Sequence, residues 1–127
     1  MTRQLLVGTR KGLFVFERGK SWDLVQRLFL GDPVPTLLPD ERDGSIYAAL
    51  ALGHFGNKLH RSTDDAQSFS EVAVPVYPAA TEKKDDSVAC TLELIWTLEA
   101  GGQDRPGVLW CGTLPGGLFH SDDCGQS

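Results

Sequence analysis

The sequence predicts an all-β chain built from repeated four-stranded antiparallel units. Three observations carry that prediction. An eight-residue stretch, Ser62-Thr63-Asp64-Asp65-Ala66-Gln67-Ser68-Phe69, returns almost letter for letter as Ser121-Asp122-Asp123-Cys124-Gly125-Gln126-Ser127. A worn copy, Gly19-Lys20-Ser21-Trp22, keeps the small residue, the hydroxyl and the aromatic. Between these stretches lie short runs rich in branched and aromatic residues, separated by turn signals, with no helical periodicity.

The repeated stretch reads as Ser-x-Asp-x-small-x-Ser, and its residue types have a physical reason. A Ser and an Asp two apart can fold their side chains onto N–H groups of their own loop. The small residue admits a left-handed backbone, and the aromatic can plug the loop into the core. Local side-chain to backbone bonding therefore accounts for the acidic residues without a metal or a catalytic role.

In chain order, Gln4–Thr9 and Leu13–Phe16 form a hairpin joined by Arg10-Lys11-Gly12, and Trp22–Leu28 alternates as a third strand. Gly31-Asp32-Pro33 breaks the pattern before Val34–Leu38 opens the next unit. Asp40–Gly44 is a turn signal ahead of Ile46–Ala51, an apolar run suited to a strand buried on both faces. Gly53-His54-Phe55-Gly56 makes a tight loop, Asn57–Arg61 a short strand, and Glu71–Val74 a fourth strand ended by Pro75. Residues 77–89 turn polar and charged and read as an exposed insertion. Thr91–Leu98, Val108–Thr113 and Leu118–His120 resume the strand pattern around the loop Gly101–Gly107.

Ser21, Ser68 and Ser127 recur at intervals of 47 and 59 residues, the longer one containing the charged insertion. Periods of about 40–50 residues with four strands per unit are those of β-propeller blades. Gly8-Thr9 before Gly12-Leu13-Phe14 also echoes Gly112-Thr113 before Gly117-Leu118-Phe119. The units are a first blade over about 4–28, a second over about 33–75, the insertion at about 77–89, and a truncated third over about 90–127.

Composition narrows the function classes. The chain has 127 residues, 41% hydrophobic and 23% charged, with a formal net charge of -5, a balance unsuited to a nucleic-acid backbone or an anionic membrane surface. No apolar run reaches the ~18 residues of a membrane span or forms a signal peptide, which points to a cytoplasmic protein. Cys90, Cys111 and Cys124 lack metal-ligand spacing and are odd in number, so they read as free thiols, with neither cofactor nor metal implied. His60 and His120 read as strand-face packing residues.

Ser62 to Phe69 and Ser121 to Ser127 resemble the Asp box of the sialidase-like, or bacterial neuraminidase repeat, β-propellers, whose pattern is Ser-x-Asp-x-Gly-x-Thr-Trp. Ala66 stands for the Gly, Ser68 for the Thr and Phe69 for the Trp. The frames Val7–Phe14, Gly53–Ser62 and Gly112–Phe119 are similar to propellers of this group labelled exo-sialidase-like or glycosyl hydrolase-like. The resemblance assigns Ser62, Asp64, Phe69, Ser121, Asp123 and Gly125 a structural role in the box. It further implies about two and a half blades of an expected six or seven, a longer intact protein, and, with strands unpaired at both ends, a chain that is unstable or self-associating alone.

In such a blade the box and the turn between the first two strands share one rim, while the other loops share the rim where ligands bind. That rim would carry Arg10, Lys11, His54 and Phe55, a set suited to an anionic or carbohydrate ligand, with Arg10 the natural fork for a carboxylate. Sialidases use three arginines, a Tyr–Glu nucleophile pair and an Asp acid/base, together with an Arg-Ile-Pro motif that this sequence lacks. Two readings follow: a non-catalytic ligand-binding or assembly scaffold, which is favoured, or a glycoside hydrolase with its catalytic residues on further blades. A carbohydrate, an anionic small ligand or a protein partner fits the first.

Overall fold

The computed structural model describes residues 3–77 and 91–127. Among these residues, ten strands form three antiparallel sheets. The first holds β1 (Arg3–Thr9), β2 (Gly12–Arg18) and β3 (Trp22–Leu28) in that order. The second holds β4 (Thr36–Asp40), β5 (Ser45–Ala51), β6 (Asn57–Ser62) and β7 (Ser70–Val72) as a four-stranded meander. The third holds β8 (Leu94–Ala100), β9 (Leu109–Leu114) and β10 (Gly117–Ser121). Each strand pairs with its chain neighbour, as short turns between alternating segments dictate.

The sheets stack face to face, and the middle one is covered on both sides. Ile46, Ala48 and Leu50 of β5 point to the first sheet, joining Leu13, Val15 and Val34. Tyr47 and Ala49 point the other way, joining Leu59, Ile95, Leu98 and Leu109. This explains why β5 is apolar without alternation, since both faces of its pleat are buried. Inner strands adjoin one another: β4 packs on β8 and touches β1. Three twisted sheets radiating from adjoining inner strands are propeller blades.

Several boundaries move from the sequence expectation. The inner strand of the second sheet runs Thr36–Asp40 rather than Val34–Leu38, because Val34 donates its N–H to Thr9 O of the preceding sheet and Ala51 donates to Pro33 O. In the third sheet β8 spans Leu94–Ala100, displaced from Thr91–Leu98, with a register shift that leaves Trp96 61% exposed. The Gly53–Phe55 loop is a single 3-10 turn.

The worn third copy of the repeated turn is a correction. Gly19 to Ser21 is only a short hairpin connection, and Trp22 is the first residue of β3, 43% exposed with the Arg18 guanidinium 5.7 Å from its ring. Without an Asp to organise a longer loop, the aromatic is not delivered to the core. The Gly-Thr echo is a true equivalence, since Thr9 pairs with Gly12 and Thr113 with Gly117, each Thr hydroxyl donating to the Gly carbonyl.

Apart from Tyr77, the charged insertion lies outside the described residues, as does Cys90. No helix among the described residues is long and apolar enough to cross a membrane.

Candidate functional site

Hydrogen bonds sort the loops onto two rims. On one, Ser62 Oγ donates to Asp64 Oδ1 at 2.8 Å and accepts from the N–H groups of Asp64 (3.3 Å) and Ala66 (3.0 Å). Asp64 in turn accepts from the N–H of Ser68 at 2.9 Å and from its hydroxyl. The second turn repeats this network. Ser121 Oγ donates to Asp123 Oδ1 at 2.8 Å and accepts from Gly125 N–H at 3.0 Å, and Asp123 accepts from Ser127 N–H at 2.9 Å. Donors fixed on the carboxylates, the Ser68 or Ser127 hydroxyl foremost, hold both Asp64 and Asp123 down to about 2. A carboxylate so occupied is a poor general acid or base near neutral pH.

The same rim holds a clamp whose role was not legible in the sequence. Arg42 sits in the turn after β4 with its side chain only 5% exposed. It donates to both oxygens of Asp40, at 2.8 and 2.7 Å, and to the carbonyls of Gly102, Arg105 and Val108 in the loop that joins β8 to β9. Those bonds keep the Asp40 carboxyl below the usual carboxylate range. A buried guanidinium with all its directions satisfied ties two blades together. Its sequence signal, an Asp two residues before an Arg in a turn, carries no information about the third sheet.

The opposite rim carries the Arg10-Lys11 turn, the 3-10 turn and the Pro115-Gly116 turn. Its stitching is explicit: Gly31 N–H donates to Lys11 O, Asn57 Nδ2 to Leu92 O, and Glu93 N–H to Leu114 O. A cleft of about 410 Å³ opens here between the three sheets, lined by Gly8, Thr9, Arg10, Pro33, Val34, Pro35, Ala51 and Leu94. Arg10 is exposed at this cleft. Lys11 is exposed beside it but does not line it, and His54 and Phe55 form an edge-to-face pair of their own, 5.7 Å between centroids. Phe55 is 77% exposed.

Of the other histidines, His60 is half-buried and His120 is exposed. His60 lies edge-on to Phe29 at 5.2 Å, and burial pushes its pKa down. His120 stacks on Trp110 at 5.1 Å and lies 3.4 Å from Asp122. Cys111 is a buried thiol pushed up to about 11 by desolvation, and Cys124 is half-buried and also unpaired. Among the described residues no group of three or more His, Cys, Asp or Glu stands close enough to hold a metal.

No protein-family model matches the sequence, and no curated protein matches it either. Among solved structures the chain is similar to that of YCF48 bound to D1 peptide, with a TM-score of 0.57 and 17% identity. The match covers 95% of this chain and 33% of that one, so the chain spans about a third of the length of its neighbour. With its all-β, three-sheet architecture, the chain is part of a β-propeller.

Proposed function

We infer that the protein is a non-catalytic β-propeller scaffold of the Asp-box, sialidase-like type, which binds a partner's acidic peptide segment at the rim bearing Arg10. The observation that carries this reading is the cleft of about 410 Å³ between the three blades, apolar but for one exposed guanidinium and the Thr9 hydroxyl. Such a lining suits an extended chain that buries aliphatic side chains while a carboxylate meets Arg10. The peptide held by the YCF48 propeller supports the choice of a peptide over a sugar. Lys11, His54 and Phe55 stand around the mouth as secondary contacts, and the setting proposed is the cytoplasm.

The carboxylates of the two repeated turns support the non-catalytic reading, because their hydrogen bonds are spent within the loops on the other rim. The test is a panel of fluorescent peptides, acidic and neutral, titrated against the protein, with fluorogenic sialosides and neutral glycosides assayed in parallel. Acidic peptides should bind and Arg10→Ala should weaken them about tenfold, the loss of one charge-assisted contact. Glycoside turnover, or acidic-peptide binding indifferent to Arg10, overturns the reading.

A further inference from the structure

His60 alternates with Leu59 along β6, so while Leu59 enters the core shared with the third sheet, His60 faces the first. It stands opposite Ala48 of β5, which belongs to the core between the first and second sheets. Across that junction its ring meets Phe29 edge-on at 5.2 Å, and Phe29 meets Phe69 in the same manner at 5.3 Å. The Nδ1 atom of His60 is buried and has no hydrogen-bond partner among the described residues. A titratable ring thus occupies an aromatic seat between two blades with one nitrogen unpaired.

The next blade shows what this seat accommodates. Phe119 stands two residues before Ser121 as His60 stands two before Ser62, and its ring meets Tyr77, beyond β7, edge-on at 5.3 Å, as His60 meets Phe29, just beyond β3. The same place therefore takes a ring that never carries charge. The groups facing His60 do little to compensate a charge on it. β5 offers Ala48, and the first sheet's side offers the Phe29 ring. Glu71 stands opposite on β7, but its Oε1 is held by Lys58 Nζ at 3.2 Å, a cation two residues from His60 on β6. Burial keeps the imidazole neutral to a lower pH than usual, with Lys58 adding to the effect and Glu71 opposing it. Phe29 is the moving part of the pair. It holds φ 54°, a left-handed backbone that a bulky residue keeps only while its surroundings fix it. Asp32 N–H donates to Phe29 O at 2.9 Å, and Gly31 N–H donates to Lys11 O at 3.0 Å, so the turn that follows depends on Phe29 staying in place.

We propose that His60 is an acid-sensitive latch between the first and second blades: neutral, it holds Phe29 and the turn behind it in place; protonated, it draws water to its ring, releases Phe29 and opens the turn. An opened junction takes up a proton at about the ordinary histidine pKa of 6.5, the closed one only at lower pH. Closure is therefore fully favoured above pH ~6.5 and is lost as pH falls below it. The device stands whether or not the Arg10 cleft binds peptide.

The experiment follows amide exchange in the whole 127-residue chain at about pH 7.5 and about pH 5.5, each corrected for the intrinsic rate at that pH. Opening at the Gly31 and Asp32 amides should rise at least about threefold at the lower pH, measured against Gly101, whose N–H donates to Val108 O between β8 and β9. His60→Phe, which copies Phe119, and His60→Gln, which cannot take a charge, should each abolish the rise. In the unsubstituted chain an NMR titration should find the His60 imidazole half-protonated below pH ~6.5. A rise that survives both substitutions overturns the proposal. So does an equal rise at Gly101, which would place the acid response in the whole chain, or a His60 that titrates at or above its ordinary value.

Discussion

The two Ser-Asp turns are the same loop in two surroundings. Their internal bonds agree to within 0.1 Å from Ser62 to Ser68 and from Ser121 to Ser127. Around them the packing differs. In the first, Ala66 is fully buried and Phe69 closes the loop onto the core. In the second, Gly125 is buried as well, against Val72 of the second sheet and Leu109 of its own. A loop of this kind is thus folded by its own hydrogen bonds, and what it packs on is set by the sheets around it.

That contrast can be broken first at the aromatic. Phe69→Ala should destabilise the chain by about 3 kcal/mol, the cost of a cavity between two blades, read as a lower urea midpoint. A urea midpoint left unchanged by Phe69→Ala would contradict the role of this ring as the plug of the first turn. The serines come next. Ser62 is 1% exposed, and Ser62→Ala leaves the buried Ala66 N–H without its acceptor, costing about 2 kcal/mol. Ser121 is half-buried and its bond from the Gly125 N–H is less enclosed, so Ser121→Ala should cost less.

The left-handed position separates the copies more finely. Ala66 holds φ 67° and Gly125 φ 82°. Gly125→Ala would set a methyl 3.2 Å from Val72 Cγ2 in that strained region and should cost about 1 kcal/mol. Ala66→Gly relieves strain but removes a buried methyl, two effects of about 1 kcal/mol each and opposite sign, so its Tm should hardly move.

The smallest effect is one in which the copies should agree. Asp64 and Asp123 both sit at about 2 in the folded chain, against about 3.9 when unfolded. The unfolded chain therefore takes up protons first, and the stability these carboxylates give is present above pH ~4 and lost as pH falls towards ~2. Urea midpoints between pH 6 and pH 2 should decline, and Asp64→Asn and Asp123→Asn should flatten that decline equally. An unequal response would show that packing, and not the loop alone, sets the charge of the turn.

Much of the fold was legible because its signals are local. The Ser-Asp spacing, the Gly-Thr hairpins and the unbroken apolar run of β5 each depend on residues that touch their sequence neighbours or on a two-residue pleat. The misreadings share a different cause. Trp22 resembles Phe69 in type, yet its loop is too short to aim it inward; the starts of β4 and β8 are moved by hydrogen bonds to strands far away in sequence. The rim site was only partly legible. Arg10 does reach a cleft, but Lys11, His54 and Phe55 share a rim with it without lining that cleft, because loop membership fixes an end of a blade and not a side-chain direction.

By itself the sequence determined the repeated four-stranded plan and the self-bonded turns, since strand period and Asx chemistry act within a few residues. Only the tertiary structure decided which apolar faces meet, that Arg42 bridges two blades, and that Phe69 plugs the first turn between two sheets. Those outcomes depend on contacts between sheets, where chain neighbours carry no information about spatial ones.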